Sequence, residues 1–212
     1  MNNKSVDFDY DLLLLNLIDN TNDWKDEHGN FDRAAILGTL NGLFNGKAIY
    51  FSDELYLWNG YYYAPDGEKV LARILQNVSE ELSSRMIQSV IESFKYTWIR
   101  SEQEISNIAL PDYYIPVKNG LLNVNTLQLE EHNPKYFYTY IFNILYDSKA
   151  VPIYTIWFLL RRFKNNFKEF FKVWEIFAYM LFRDNRFQII PIFLGDSKQG
   201  TFTSGEEGKS TT

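Results

Sequence analysis

The residues with the clearest potential chemistry form a short glycine-rich run. The segment 205–211 reads Gly-Glu-Glu-Gly-Lys-Ser-Thr, which combines two glycines with a lysine and two hydroxyls. Loops of this composition bind phosphates through backbone N–H groups, place the lysine on the β- and γ-phosphates, and offer a hydroxyl to Mg²⁺. We assign no catalytic side chain. The predicted phosphate ligands are Gly205, Gly208, Lys209, Ser210 and Thr211, with Ser210 as the Mg²⁺ ligand.

The phosphate-loop pattern can also be aligned with the sequence in a second register. The pattern GxxxxGK[ST] requires glycine where the chain has Thr203, and eight residues separate that position from the apolar run 189–194. Gly195 and Gly200 stand at the right distance from the apolar run, but Thr201 then occupies the lysine position. We favour the first register because the lysine and the hydroxyl are the groups that contact phosphate and metal.

A second set of residues has the spacing of a nucleic-acid contact. Arg161, Lys164, Lys168 and Lys172 follow one another at intervals of three, four and four, which places them on one face of a helix. The functional interpretation is a basic strip on the phosphate backbone of DNA. The alternative is an ordinary solvated helix face above a packed aromatic stripe.

The charge of the chain is uneven along its length. The formal net charge is −6, yet residues 1–60 carry four basic and ten acidic side chains, whereas residues 151–190 carry seven basic and three acidic ones. The acidic total argues against nonspecific coating of nucleic acid, so we expect weak binding to DNA, most favourably to single strands. The two ends of the chain face different partners or face each other.

Several classes of function are excluded or disfavoured by composition. The chain has no cysteine, which excludes disulfides and thiolate metal sites. Its two histidines lack partners at metal-ligand spacing, and no Ser/His/Asp arrangement suggests nucleophilic catalysis. The apolar run 12–15 is too short to span a bilayer, which needs about 20 residues. We therefore expect a cytoplasmic protein with no membrane partner.

The periodicity predicts an α+β fold that is mostly helical, with small antiparallel β-hairpins. Asp32 is the expected N-cap of a helix through Phe44, ended by Asn45-Gly46, and Asn59-Gly60 indicates a two-residue hairpin turn. Residues 101–111 are expected to be irregular or weakly helical. Helices are predicted at 7–19, 32–44, 66–76, 79–94 and from Pro152 through Phe182 with a break near Asn165-Asn166, and strands at 48–51, 55–58, 61–63, 115–124, 127–129 and 189–194.

Two tyrosine clusters admit two interpretations. Bases stack on aromatic rings with little sequence preference, so exposed tyrosines would suit single-stranded nucleic acid. Alternate positions in a strand face the core, and we favour core packing for most of these rings. The clusters are Tyr61, Tyr62 and Tyr63, and Tyr136, Tyr138 and Tyr140.

Several segments in order resemble one family. They are similar to the N-terminal domain that precedes a superfamily 3 helicase in phage, plasmid and poxvirus-type primase-helicases. The resemblance covers roughly residues 50–212. It rests on 57–62 (LWNGYY), 115–124 (IPVKNGLLNV), 131–134 (EHNP), 146–147, 150–152, 174–181 and 188–195, followed by the phosphate loop.

The resemblance implies two domains and a role in replication. Residues 1–188 would form the helicase-associated α+β domain, and residues 189–212 the first strand and P-loop of an incomplete, mobile ATPase domain. The protein would be the DNA- or subunit-binding module of a viral or plasmid DNA helicase/primase, with a homo-oligomer or a replication protein as partner. ATP and Mg²⁺ would be cofactors only in a complete parent protein, so we expect no cofactor and no ATP hydrolysis here. The alternative is a stand-alone interaction protein that kept the module and lost the motor.

Overall fold

The computed structural model of the chain describes residues 21–181 and is α+β, as predicted. This range contains six α-helices and two three-stranded antiparallel sheets. The helices are α1 (Arg33–Leu43), α2 (Gly67–Val78), α3 (Ser84–Thr97), α4 (Glu102–Ile108), α5 (Ile153–Arg162) and α6 (Phe167–Tyr179). The strands are β1 (Ala48–Phe51), β2 (Glu54–Trp58), β3 (Tyr63–Ala64), β4 (Tyr114–Val117), β5 (Gly120–Asn123) and β6 (Gln128–Glu130), and a 3₁₀ turn spans Thr21–Trp24.

The chain divides into two compact units, with the boundary between Ala150 and Val151. Within the described range, the first unit holds α1–α4 and both sheets, and the second holds α5 and α6. The predicted helix at 7–19, the predicted strand at 189–194 and the predicted boundary at 188 lie outside the described residues.

The first unit is built in layers around the β1–β2–β3 sheet. Side chains alternate across a strand, so one face of β2 presents Leu55 and Leu57 while the other presents Trp58. Leu55 and Leu57 pack into a core with α1, α2 and α3. Trp58 packs into a second core with Tyr114 of β4, Leu121 of β5 and the nearby Tyr138. The central sheet is therefore covered on both faces, which suits its short apolar strands.

Local capping chemistry fixes the helices. The carboxylate of Asp32 accepts a hydrogen bond of 2.8 Å from the amide of Ala34 at the start of α1, as predicted. Gly46, just beyond that helix, has a φ of +66°. Ser101 and Glu104 form a reciprocal capping box at the start of α4, so residues predicted to be irregular or weakly helical form a regular short helix. Ser83 caps α3, which begins later than the predicted start at 79.

The hairpin between β2 and β3 differs from the predicted two-residue turn. Trp58 pairs with Tyr63, so four residues rather than two connect the strands. The side-chain oxygen of Asn59 accepts hydrogen bonds of 3.0 Å and 2.9 Å from the amides of Tyr61 and Tyr62. These bonds stabilise the longer loop in place of a tight turn at Asn59-Gly60.

The β4–β5 hairpin is closed by a two-residue turn at Lys118-Asn119. Val117 pairs with Gly120, whose φ of +149° is a conformation that favours glycine. A Cβ on Gly120 would lie 2.3 Å from the backbone oxygen of Glu130 in β6. Close approach of the β6 backbone therefore requires glycine here. The Asn119 side chain in turn exchanges two hydrogen bonds, of 2.9 Å and 3.0 Å, with the backbone of Tyr146.

Candidate nucleic-acid interface

The predicted basic strip falls in the second unit, which is a hairpin of α5 and α6. Pro152 occupies the N-cap position of α5, where its missing amide hydrogen costs nothing. Asn166 caps α6, and its side-chain oxygen accepts hydrogen bonds of 3.1 Å and 3.4 Å from the amides of Lys168 and Glu169. A proline start and an asparagine cap thus define the two helices.

A left-handed turn separates the helices close to the predicted break at Asn165-Asn166. Lys164 and Asn165 have φ values of +51° and +61°. The Asn165 amide donates to the carbonyl of Leu160 over 2.8 Å, which closes the end of α5 in the manner of a Schellman cap. The chain therefore reverses here instead of continuing as one helix.

The hairpin has a small core of its own. Leu159, Phe170 and Val173 are each 7 % exposed. The rings of Phe170 and Trp174 stack with centroids 5.6 Å apart. The predicted aromatic stripe of 163, 167, 170 and 174 is only partly inward-facing, because Phe167 is 60 % exposed.

The break changes the geometry of the four predicted DNA-binding residues. Arg161 lies in the last turn of α5, Lys164 in the left-handed turn, and Lys168 and Lys172 one turn apart on α6. The prediction that all four occupy one face of one helix is therefore wrong. Only Lys168 and Lys172 keep that relationship, because the helical phase is lost at Lys164.

Two of these cations already have neighbours within the hairpin. The Arg161 guanidinium lies 5.3 Å from the centre of the Trp157 ring, a cation–π contact. Lys172 pairs with Glu169 at 2.9 Å. Residues 151–181 carry five basic and two acidic side chains, so the described part of the second unit is positively charged.

Sequence reasoning missed the outward face of α5. Tyr154, Trp157 and Phe158 are all more than half exposed, and they share one side of the helix with Arg161. Their spacing of three and four is itself a helical periodicity, opposite the stripe that packs into the hairpin core. That spacing was the available signal: a helix that is apolar on both sides buries only one of them within a two-helix hairpin.

The tyrosine clusters of the first unit divide between core and surface. Tyr63 and Tyr138 are each 1 % exposed, which confirms core packing for these two rings. Tyr61 and Tyr140 are exposed. Burial raises the pKa of Tyr63 to about 12 and also raises the pKa of Tyr138.

His132 lies beside this tyrosine core. Its Nδ1 is 3.1 Å from the hydroxyl of Tyr138, and its ring meets the Tyr61 ring edge-on at 5.4 Å. Partial burial lowers the pKa of His132, because the apolar surroundings disfavour the charged imidazolium.

The lowered pKa of His132 predicts a pH dependence of stability. Neutral histidine is favoured by the fold, so its contribution is fully present above the unfolded pKa of about 6.5 and is lost as pH falls through the folded pKa. We expect the free energy of unfolding to fall between roughly pH 7 and pH 5, and His132→Gln to flatten this slope. Urea titrations across that range measure the slope. His28, which is exposed, gives the matched control, and a slope unchanged by His132→Gln would contradict the assignment.

The phosphate loop cannot be placed, since Gly205, Gly208, Lys209, Ser210 and Thr211 all lie outside the described residues. Within residues 21–181, no group of three or more His, Asp or Glu side chains is arranged to hold a metal ion. No helix in the same range has both the length and the apolar character needed to cross a membrane.

The described residues define an α+β module followed by a basic helical hairpin. A family model described as D5 N terminal like matches residues 17–171, nearly three quarters of the chain. The chain therefore belongs to the D5 N-terminal-like family, an N-terminal domain of phage and viral primase-helicase proteins. A comparison with curated proteins finds no match.

Proposed function

We propose that this chain is a replication protein of a virus or plasmid, acting as the N-terminal DNA- or subunit-binding module of a superfamily 3 DNA helicase or primase. The observation that carries the proposal is the family match over residues 17–171. It spans the whole described part of the first unit together with α5 and the first turn of α6. Proteins of this family are phage and viral primase-helicases, whose substrates are nucleic acids.

The α5–α6 hairpin is the part of the module that we assign to DNA. Its described residues, 151–181, carry five basic and two acidic side chains, whereas residues 21–150 carry 11 basic and 17 acidic ones. Phosphate contacts supply most of nonspecific affinity for nucleic acid, so a strand favours the basic unit over the acidic one. The proposed contacts are Arg161, Lys164, Lys168 and Lys172. In a complete parent protein, ATP and Mg²⁺ would be bound through Lys209 and Ser210.

We expect weak binding of the chain to single-stranded DNA that falls steeply with salt. Each phosphate contact on a single strand contributes about 0.7 to the slope of log affinity against log salt, so four contacts give roughly 3. Replacing Lys164 and Lys168 together by glutamate is expected to lower the slope by about 1.4 or more. Fluorescence anisotropy of a labelled oligonucleotide at several salt concentrations measures it.

The matched control reverses two lysines of the first unit, Lys47 and Lys149, both of them exposed. This variant changes the total charge equally and is expected to keep most of the slope. Equal effects of the two double variants would mean that binding follows total charge and would refute the assignment to the hairpin. Sedimentation velocity at the same protein concentrations separates DNA binding from association between copies of the chain.

A further inference from the structure

The outward face of α5 exposes three aromatic rings side by side. Tyr154 is 89 % exposed, Trp157 57 % and Phe158 52 %. They occupy positions i, i+3 and i+4 of the helix, with Arg161 at i+7, so the four side chains share one side. The hairpin core is formed on the opposite side of the helix, around Leu159. Of the proposed phosphate contacts, only Arg161 lies on this aromatic face, and the three rings have no role in those contacts.

The chemistry of the aromatic face limits what can cover it. Contiguous exposed apolar surface rimmed by charge marks an interaction site. Here the apolar groups are planar rings, and the Arg161 guanidinium lies 5.3 Å from the Trp157 ring centre. The surrounding described unit is net positive. A fitting ligand therefore combines flat apolar faces with negative charge at short repeat, which is the chemistry of a nucleic-acid strand.

Exposed aromatic rings favour the binding of single strands over duplexes. Base faces in a duplex are already stacked on one another, whereas a single strand can offer them to protein rings. The helical rise of about 1.5 Å per residue separates Tyr154 from Trp157 by roughly 4.5 Å, and Tyr154 from Phe158 by roughly 6 Å, along the axis. These spacings are comparable to the distance between successive bases of a strand, about 3.4 Å when stacked and longer when extended.

We infer that bases of single-stranded nucleic acid stack on Tyr154, Trp157 and Phe158 while Arg161 holds an adjacent phosphate. The inference rests on the proposed DNA-binding function and adds to it a site that reads base faces in place of phosphates. The two kinds of contact differ in one measurable respect. Stacking requires the bases, whereas phosphate contacts do not.

The test compares two labelled strands of equal length, oligo(dT) and an abasic deoxyribose-phosphate strand, binding to the full chain. Wild-type protein is expected to bind oligo(dT) more tightly. Trp157→Ala should weaken oligo(dT) binding by about 5- to 100-fold, the range of one lost stacking contact, and leave abasic binding unchanged. Trp157→Phe, which keeps a ring, should retain most of the affinity. Tyr154→Ser supplies a second variant in case Trp157→Ala unfolds, which circular dichroism reports.

Two results would overturn the stacking site. Equal effects of Trp157→Ala on both strands, or none on either, would show that the rings do not contact bases. Loss of self-association in Trp157→Ala, with DNA binding unchanged, would assign the face to a protein contact. Failure of the proposed function looks different, because binding would then be insensitive to salt and to reversal of Lys164 and Lys168.

Discussion

Replacement of Gly120 by alanine is expected to destabilise the first unit by about 3 kcal/mol. Two costs act together. The added Cβ would lie 2.3 Å from the carbonyl oxygen of Glu130, a backbone atom that cannot move without breaking the β5–β6 pairing. The φ of +149° is also strained for any residue with a side chain. Urea unfolding followed by circular dichroism measures the loss.

Gly42 provides the matched control for this substitution. It lies in α1, and a Cβ added there would meet nothing within 4 Å. Alanine has the higher helix propensity, so Gly42→Ala is expected to be neutral or to stabilise by up to about 1 kcal/mol. An unfolding midpoint for Gly120→Ala equal to that of wild type would show that β6 does not approach β5 as described.

The second large effect is expected at Tyr63. Its ring is 1 % exposed and packs edge-on against Trp58 at 5.3 Å. Its hydroxyl lies 2.7 Å from the carbonyl oxygen of Pro134 and 3.1 Å from that of Gly46, which ties distant parts of the first unit together. Tyr63→Ala removes the ring and both polar contacts, so we expect a loss of about 3–5 kcal/mol.

Two further variants separate the contributions of the Tyr63 side chain. Tyr63→Phe keeps the ring and should cost about 1–2 kcal/mol, because the partly buried Pro134 carbonyl loses its hydrogen-bond donor. Tyr96→Ala removes the same side chain at a position 73 % exposed and should change stability by less than about 0.5 kcal/mol. The same unfolding experiment serves for all three. If Tyr63→Ala and Tyr96→Ala proved equivalent, the buried position of Tyr63 would be wrong.

The sequence predicted the structure correctly where the backbone conformation is determined by a few neighbouring residues. Asp32 predicted the start of α1, and Asn45-Gly46 its end, because capping is a contact within a few residues. The alternating apolar residues of 115–124 and 127–129 predicted β-structure correctly, because an alternation of period two is typical of β-strands. The prediction of 115–124 as one strand was wrong, since the turn at Lys118-Asn119 divides it into β4 and β5. The break near Asn165 was visible for the same local reason.

The errors arose where one local signal competed with another. Asn59-Gly60 is a strong two-residue turn signal, but the Asn59 side chain captures two amides further along and lengthens the loop. The predicted strands 48–51 and 55–58 placed the break between β1 and β2 correctly, but not its conformation, because Ser52 and Asp53 adopt positive φ in a turn without glycine. Such choices depend on the strands that flank the turn.

Only part of the candidate interface could be predicted from the sequence. The four cations could be identified from charge alone, but their common face required one continuous helix, and the turn at Lys164 removes it. The spacing of apolar residues showed that α5 is apolar on two sides, but not that the side with Trp157 is exposed and the side with Leu159 is buried. Exposure depends on what packs against a helix, and periodicity does not report it.

The order of strands in both sheets has a consequence for folding speed. Each sheet runs β1–β2–β3 or β4–β5–β6, so strands that are adjacent within a sheet are also adjacent in sequence. Such pairings close short loops and keep the contact order low, which favours rapid formation. The contacts between the two sheets join residues far apart in sequence, such as Trp58 and Leu121 in their shared core. We therefore expect the docking of the two locally formed meanders, and not strand pairing itself, to limit the refolding rate of the first unit.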